Sequence, residues 1–303
     1  MIQFQEVSLA YGARQVFENV NLTIPKGAVF GLLGPNGAGK STMMHLLSGL
    51  LQASSGSVVV NGMNMSHHKL KAQQLIGFVP QEIALYEEFS AVENLRFFGS
   101  LYGIKGKTLE GRISELMASI GLESRKDDVL KTYSGGMKRR VNIAAALLHN
   151  PSVVLMDEPT VGIDPQSRNR IFEIIEKLHQ QGVTVLYSTH YMEEVERLCS
   201  QIAIMDKGKI LIQGTLDDLL KSGKKTHQIC ISFQETITDF KLKLPVTHHW
   251  NKEVLVLNCN KDEALTAVLN TLNSLGLEIA NIDFSQPNLE QLFMELTGTN
   301  LRD

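Results

Sequence analysis

The sequence is poor in the features that mark most alternatives to an ordinary globular protein. Its 303 residues hold three cysteines, Cys199, Cys230 and Cys259, an odd and scattered set that argues against a disulfide framework or a zinc site. They read as small buried apolar residues. No apolar run approaches the roughly 20 residues that cross a bilayer; Ala28–Leu33 and Val153–Met156 are far shorter. Any membrane link is therefore expected to come through another polypeptide. Met1-Ile2-Gln3-Phe4-Gln5-Glu6 lacks a basic segment followed by an apolar one, so no secretory signal is visible and a cytosolic location is expected. There is no long basic run, and a formal net charge of −3 gives no electrostatic reason to expect nucleic acid. The pairs His67-His68 and His248-His249 have no cysteine or acidic cluster at ligand spacing, and read as solvated loop histidines. No internal repeat is present.

What is there is a chain with 43% hydrophobic and 20% charged residues, long enough for a large core and two domains. From Ile2 to about Val60, short alternating apolar segments separated by turn residues read as strands, interrupted by a helix over Ser41 to Leu50. Between about Gln81 and Lys131 the spacing turns helical, at Val92 to Phe98 and Leu109 to Ile120, as a helical insert between sheet-forming halves. Val153–Met156 and Thr184–Ser188 read as buried strands separated by a helix from about Gln166 to Gln180, which implies a parallel α/β sheet. A boundary lies near Lys221-Ser222-Gly223-Lys224-Lys225. Beyond it, strands at Gln228–Phe233, Glu253–Asn258 and Glu278–Phe284 and helices at Asp262–Leu275 and Leu289–Leu296 describe a small α+β appendix.

Two glycine-rich segments carry the chemistry. Gly34-Pro35-Asn36-Gly37-Ala38-Gly39-Lys40-Ser41 follows an apolar strand and, with Thr42, opens a helix, the context that a phosphate-binding loop requires. Backbone N–H groups of Gly37, Gly39, Lys40 and Ser41 can wrap a β-phosphate, Lys40 can neutralise β- and γ-oxygens, and the Ser41 hydroxyl can ligate Mg²⁺. Tyr133-Ser134-Gly135-Gly136-Met137 precedes an Ala/Leu-rich helical stretch, so a serine and two glycines stand at a second helix N-terminus. Two phosphate sites in one chain suggest a nucleotide held between two subunits. Asp157 and Glu158 end an apolar strand, where Asp157 can hold the metal through water and Glu158 can polarise an attacking water as general base.

In this order the elements resemble the nucleotide-binding subunit of an ATP-binding cassette (ABC) transporter, over roughly residues 2 to 220. The resemblance implies a P-loop NTPase cassette with a mixed sheet core, an antiparallel β subdomain and a helical subdomain at about 82–150. It implies that Tyr11 stacks on adenine and that Gly34, Asn36, Gly37, Ala38, Gly39, Lys40, Ser41 and Thr42 bind ATP. Gln81 would reach the metal and the attacking water, beside Ser41 and Asp157 as metal-binding residues. Ser134, Gly135 and Gly136 keep the family signature while Tyr133 and Met137 depart from its commonest form. Val161 to Asp164 match the loop that meets its twin across a dimer, and His190 matches the switch histidine at the γ-phosphate.

Soluble relatives compete with the transporter reading. Repair ATPases separate their two motifs by a long coiled coil, and this chain has no sustained heptads. Translation factors carry two cassettes in one chain, and here there is one phosphate loop; a soluble ATPase without a membrane partner is the alternative. Tyr133 to Met137, Val161 to Pro165 and the ending Leu289-Glu290-Gln291-Leu292-Phe293-Met294-Glu295-Leu296-Thr297-Gly298 resemble the ABC-2 exporter branch, with its daunorubicin-resistance, A-subfamily and nodulation-factor members. Leu289, Leu292, Phe293 and Leu296 also fit one face of an amphipathic helix. The resemblance implies an ATPase domain at 1–220, an accessory domain at 226–303, dimerisation with a second copy or a homologous cassette, and an ABC-2 permease as the only membrane contact, on the cytoplasmic side. No cargo is named by these residues.

Overall fold

A computed structural model describes residues 1–222, 227–234, 244, 246–251, 253–259, 262–285 and 288–297. The chain divides into two compact units, one containing Met1–Leu216 and the other Asp217–Asn300. The division falls a few residues ahead of the Gly/Lys-rich stretch.

In the first unit β1 (Ile2–Tyr11) and β2 (Arg14–Ile24) pair as a hairpin. Ile2, Phe4, Val7 and Leu9 are buried, and the spacing lengthens between Phe4 and Val7 because the register shifts there, with Glu6 at a φ of 49°. That bulge keeps one apolar face on the core where strict alternation would have flipped it. β3 (Val29–Leu33) leads into α1 (Lys40–Ser48), after which β4 (Ser55–Val60) and β5 (Met63–Asn64) complete an antiparallel sheet of order β2-β1-β4-β5. α2 (Lys69–Gln73) and β6 (Ile76–Val79) return the chain to the main sheet. Then come α3 (Ala91–Leu101), α4 (Gly106–Ser119) and α5 (Gly135–Leu147), followed by β7 (Val153–Asp157), α6 (Pro165–Gln180), β8 (Thr184–Thr189), α7 (Met192–Leu198), β9 (Gln201–Asp206) and β10 (Lys209–Thr215).

The main sheet has the order β10-β9-β3-β8-β7-β6, parallel throughout except for β10. Every residue of β3, β7 and β8 is buried, which is why these strands read as continuous apolar runs. Met43, Met44, Leu46 and Leu47 of α1 join the two sheets into one core, with Phe4, Leu22, Val58 and Val60 from the first and Val153, Leu155 and Leu186 from the second. In the helical part, Ser90 and Glu93 form a reciprocal cap on α3, the Glu93 amide donating to Ser90 Oγ (3.2 Å) and the Ser90 amide to Glu93 Oε2 (2.8 Å). Such a cap is worth about 1 kcal/mol.

The second unit has α8 (Leu216–Ser222) at its start, then β11 (His227–Phe233), β12 (Thr247–Asn251), β13 (Val254–Cys259), α9 (Asp262–Ser274), β14 (Ile279–Ser285) and α10 (Leu289–Thr297). The sheet order is β12-β13-β11-β14, all antiparallel, and Ile229, Ile231, Leu255 and Leu257 pack on Val268 and Leu272 of α9. Three expectations are corrected here. His248 and His249 lie in β12 and not in a loop, and His248 is half-buried with Nδ1 3.1 Å from the Val246 carbonyl; the strand is short and its alternation is blurred by two adjacent imidazoles. Cys230 is only half-buried, because it occupies the face of β11 opposite Ile229 and Ile231; Cys199 is buried, and the burial of Cys259 lies outside the described residues. Leu296 of α10 is 38% exposed while Leu289, Leu292 and Phe293 are buried, so the apolar face ends one turn early. Gly298 lies outside the described residues.

Candidate active site

The loop Gly34–Gly39 runs from the end of β3 to the first turn of α1, and its glycines are needed for different reasons. A Cβ on Gly34 would lie 2.2 Å from the Met205 carbonyl oxygen on β9, so no side chain fits there. Gly39 has a φ of 108° and Gly37 one of 82°, and a Cβ on Gly37 would meet nothing within 4 Å. Gly39 caps α1 without a side-chain acceptor, so the first-turn N–H groups take no bond from a capping side chain. Unpaired N–H groups and the positive end of the helix dipole at an open, exposed loop form an anion site. Lys40 is 4% exposed and its Nζ folds back over the loop, donating to the carbonyls of Gly34 (2.7 Å) and Pro35 (3.2 Å).

The same ammonium stands 3.1 Å from Glu158 Oε1. Glu158 follows β7 with a φ of 44°, a left-handed turn that swings its carboxylate away from that of Asp157. Ser188, opposite Asp157 in β8, fixes both residues: its hydroxyl donates to Asp157 Oδ1 (2.6 Å), and its Oγ and carbonyl accept from the Glu158 amide (3.0 and 3.2 Å). The other Glu158 oxygen faces His190 Nδ1 at 3.3 Å, close enough for an ion pair with a protonated ring although not aligned as a hydrogen bond. Lys40, Glu158 and His190, from three distant parts of the sequence, thus converge beside the phosphate loop. Asp157 and Glu158 are both almost fully buried, and a buried carboxylate is retained at a cost unless it is paired. The oxygen donors Ser41 and Asp157 beside an anion cradle are the hard set that Mg²⁺ takes, so the residues present fit a nucleotide-bound Mg²⁺.

Other expected residues stand further off. Gln81 follows β6 with an exposed side chain, and its backbone is held by Arg139 of α5, whose guanidinium donates to the carbonyls of Pro80 (2.8 Å) and Gln81. Tyr11 ends β1 on the other sheet, 51% exposed. Asn36 is exposed, Ala38 buried and Thr42 half-buried. Ser134 is the N-cap of α5, accepting from the Met137 amide (3.2 Å), and Gly135 faces open space. Gly136 packs against the start of α6, where an added Cβ would lie 2.1 Å from Ser167 Oγ and 3.2 Å from Asp164 Oδ2. Asp164 caps α6 by accepting from the Ser167 amide (2.9 Å), and that bond holds its carboxyl below the usual range. No hydrogen bond or ion pair among the described residues joins Ser134–Gly136 to the Lys40 loop of the same chain.

Sequence reasoning passed over Arg139, Ser188, Tyr187 and Glu194. A polar Tyr187-Ser188-Thr189 ending on an apolar strand was the available signal for Ser188 and Tyr187, and an arginine in the Ala-rich α5 was the signal for Arg139; Glu194, on α7, carried none.

Comparison with known proteins agrees with this geometry. Residues 17–161 match the model of the family described as ABC transporter. The chain is 42% identical to the linearmycin resistance ATP-binding protein LnrL of Bacillus subtilis over the whole of both chains. It is 35% identical to the Nod factor export ATP-binding protein I of Cupriavidus metallidurans, over all of this chain and 99% of that one. A dimeric ATP-binding cassette solved in a post-hydrolysis state with ADP and Pi superposes with a TM-score of 0.65 and 28% identity, over 71% of this chain and 99% of the other. With a P-loop, a Lys40–Glu158–His190 cluster and relatives matched along its whole length, the chain belongs to the ABC transporter family, as an ATP-binding subunit with ATPase activity.

Proposed function

We propose that the chain is the motor subunit of an ABC-2 type exporter, with an ATPase domain at 1–220 and an accessory domain at 226–303. The convergence of Lys40, Glu158 and His190 beside the Gly34–Ser41 loop carries the assignment of hydrolysis. Gly34, Asn36, Gly37, Ala38, Gly39 and Thr42 shape the nucleotide cradle, Tyr11 takes the adenine, and the Lys40 ammonium exchanges its Glu158 partner for the phosphate oxygens when ATP arrives. Ser41, Asp157 and Gln81 would hold Mg²⁺, which would supply positive charge to neutralise the phosphate oxygens. Glu158 accepts a proton from the water that attacks the γ-phosphorus, and His190 steadies the γ-phosphate as its bond to ADP breaks.

Ser134 and Gly135 face solvent in their own chain, which supports their use by a second copy, closing head-to-tail over the ATP of the first with Asp164 at the seam. The membrane partner is a permease docked near Gln81, where Tyr86, Phe89 and Phe97 are exposed and lie ring to ring (5.7 and 5.1 Å between centroids). Among the described residues no helix is long and apolar enough to cross a membrane, consistent with a peripheral place on the cytoplasmic face. Relatives named for linearmycin resistance and Nod factor export support export of a drug, antibiotic, lipid or glycan.

Glu158→Gln tests the core of this reading. The variant keeps ATP binding, hydrolyses at least about a hundredfold more slowly and accumulates as an ATP-bound dimer; near-normal turnover overturns the assignment of Glu158 as base.

A further inference from the structure

Behind the Lys40–Glu158–His190 cluster lies a second buried polar group that the reaction does not touch. Tyr187 of β8 is fully buried, and its hydroxyl donates to Glu194 Oε2 of α7 (2.8 Å). Thr160, itself 1% exposed and one residue before the Val161–Asp164 loop, lies 3.2 Å from the same phenol oxygen. Burial pushes the Tyr187 phenol far up, so it stays protonated and spends its single proton on Glu194. Thr160 is then the donor to Tyr187, and the three residues form a directed chain.

Glu194 is 2% exposed and also accepts from the Thr189 hydroxyl (2.8 Å), whose oxygen accepts in turn from the Tyr191 amide (3.0 Å). Those bonds fix the backbone on both sides of His190, and the Tyr191 ring lies 4.1 Å from the imidazole. The second Glu194 oxygen has no hydrogen-bond partner, and its nearest cation, Arg168 Nε, is 3.8 Å away on α6, just past the Asp164 cap. A carboxylate buried with one oxygen so thinly supported costs stability that a well-packed apolar residue would avoid, and its presence calls for an explanation.

We propose that Thr160, Tyr187 and Glu194 are positioning residues that hold His190 against Glu158 and tie it to the Val161–Asp164 loop. A shift of that loop when the second subunit closes would thereby reach His190 through fixed hydrogen bonds, setting the switch histidine only when the dimer is complete. The inference rests on the assignment of Glu158 and His190 to hydrolysis.

The test is steady-state ATPase kinetics on the full-length chain carrying Tyr187→Phe, Thr160→Val and both, with Glu158→Gln as control. Misplacing a reacting group by about 1 Å slows the step by up to about a hundredfold, and a smaller shift by less, on the order of tenfold. The relay therefore requires kcat to fall by about tenfold in each single variant, with KM for ATP within twofold of the parent. The double variant should fall no further than the worse single one, since both cut the same chain. A kcat within twofold of the parent in Tyr187→Phe, or additive losses in the double variant, overturns the relay while Glu158→Gln remains inactive. Turnover by Glu158→Gln would instead sink the underlying site assignment. Should Tyr187→Phe fail to fold, Thr160→Val and Glu194→Gln give the same kcat-against-KM reading.

Discussion

At the scale of single residues, glycines that the fold needs stand apart from glycines whose added Cβ would meet nothing in this chain. Gly34 is hemmed by the Met205 carbonyl at 2.2 Å, a backbone atom that cannot step aside, whereas Gly135 would place a Cβ in open space at the head of α5. Gly34→Ala is expected to cost about 1 to 3 kcal/mol through overpacking, visible as a lower denaturation midpoint. Gly135→Ala should leave the midpoint no lower, because alanine suits a helix better than glycine. It should nevertheless weaken ATP-dependent dimerisation, measured by sedimentation, because its open face is the one a phosphate would approach. An unaltered dimer would remove Gly135 from the nucleotide interface. The motif residues were legible in the sequence because spacing alone restricts them: a loop of glycines ending in Lys40-Ser41 after an apolar strand has few other uses. Ser188 was not legible, since a serine at a strand end is common, and only its position opposite Asp157 gives it two partners.

Secondary-structure elements deliver these residues through their ends. β3, β7 and β8 all terminate at one edge of the parallel sheet, which is where Gly34, Glu158 and His190 follow them. α5 and α6 begin with Ser134 and Asp164 as caps, and the close approach at Gly136 sets the two starts side by side. The Asp164 cap makes a pH-dependent contribution. The Ser167 amide depresses the folded-state pKa below the ordinary 3.8, so the cap stabilises fully above that pH and is lost as pH falls through the lowered value. Asp164→Asn keeps an acceptor without a titrating charge; its deficit against the parent at neutral pH should shrink in acid denaturation once pH falls below 3.8 and vanish below the lowered value, and a deficit that stays constant would refute the linkage. Helices and buried strands of this first unit were readable because their apolar periods are long and unbroken. β12 was not, because two histidines interrupt a five-residue strand whose partner, β13, supplies most of its pattern.

On the scale of the whole molecule, each unit has a hydrophobic core of its own. Among the described residues, the Phe4–Val58–Leu155 cluster contains none beyond Ile210, and the Ile229–Leu257–Leu272 cluster none before Ile229. Removing residues 226–303 should therefore leave a folded ATPase unit with its cooperative thermal transition, and the accessory role predicts weaker ATP-dependent dimerisation in light scattering. A dimer as tight as the full-length one would show that the second unit serves something else. By itself the sequence determined the strand-loop-helix at Gly34–Ser41, the acidic end of β7 and the parallel sheet, because these depend on local spacing, backbone propensity and periodic burial. Tertiary structure alone decided that Lys40 meets Glu158 at 3.1 Å, that Arg139 holds the Gln81 loop and that Tyr187 joins Thr160 to Glu194. Most of those contacts join residues far apart along the chain, and all depend on side-chain geometry that no local pattern encodes; only the packing of sheet against helices brings their atoms within bonding distance.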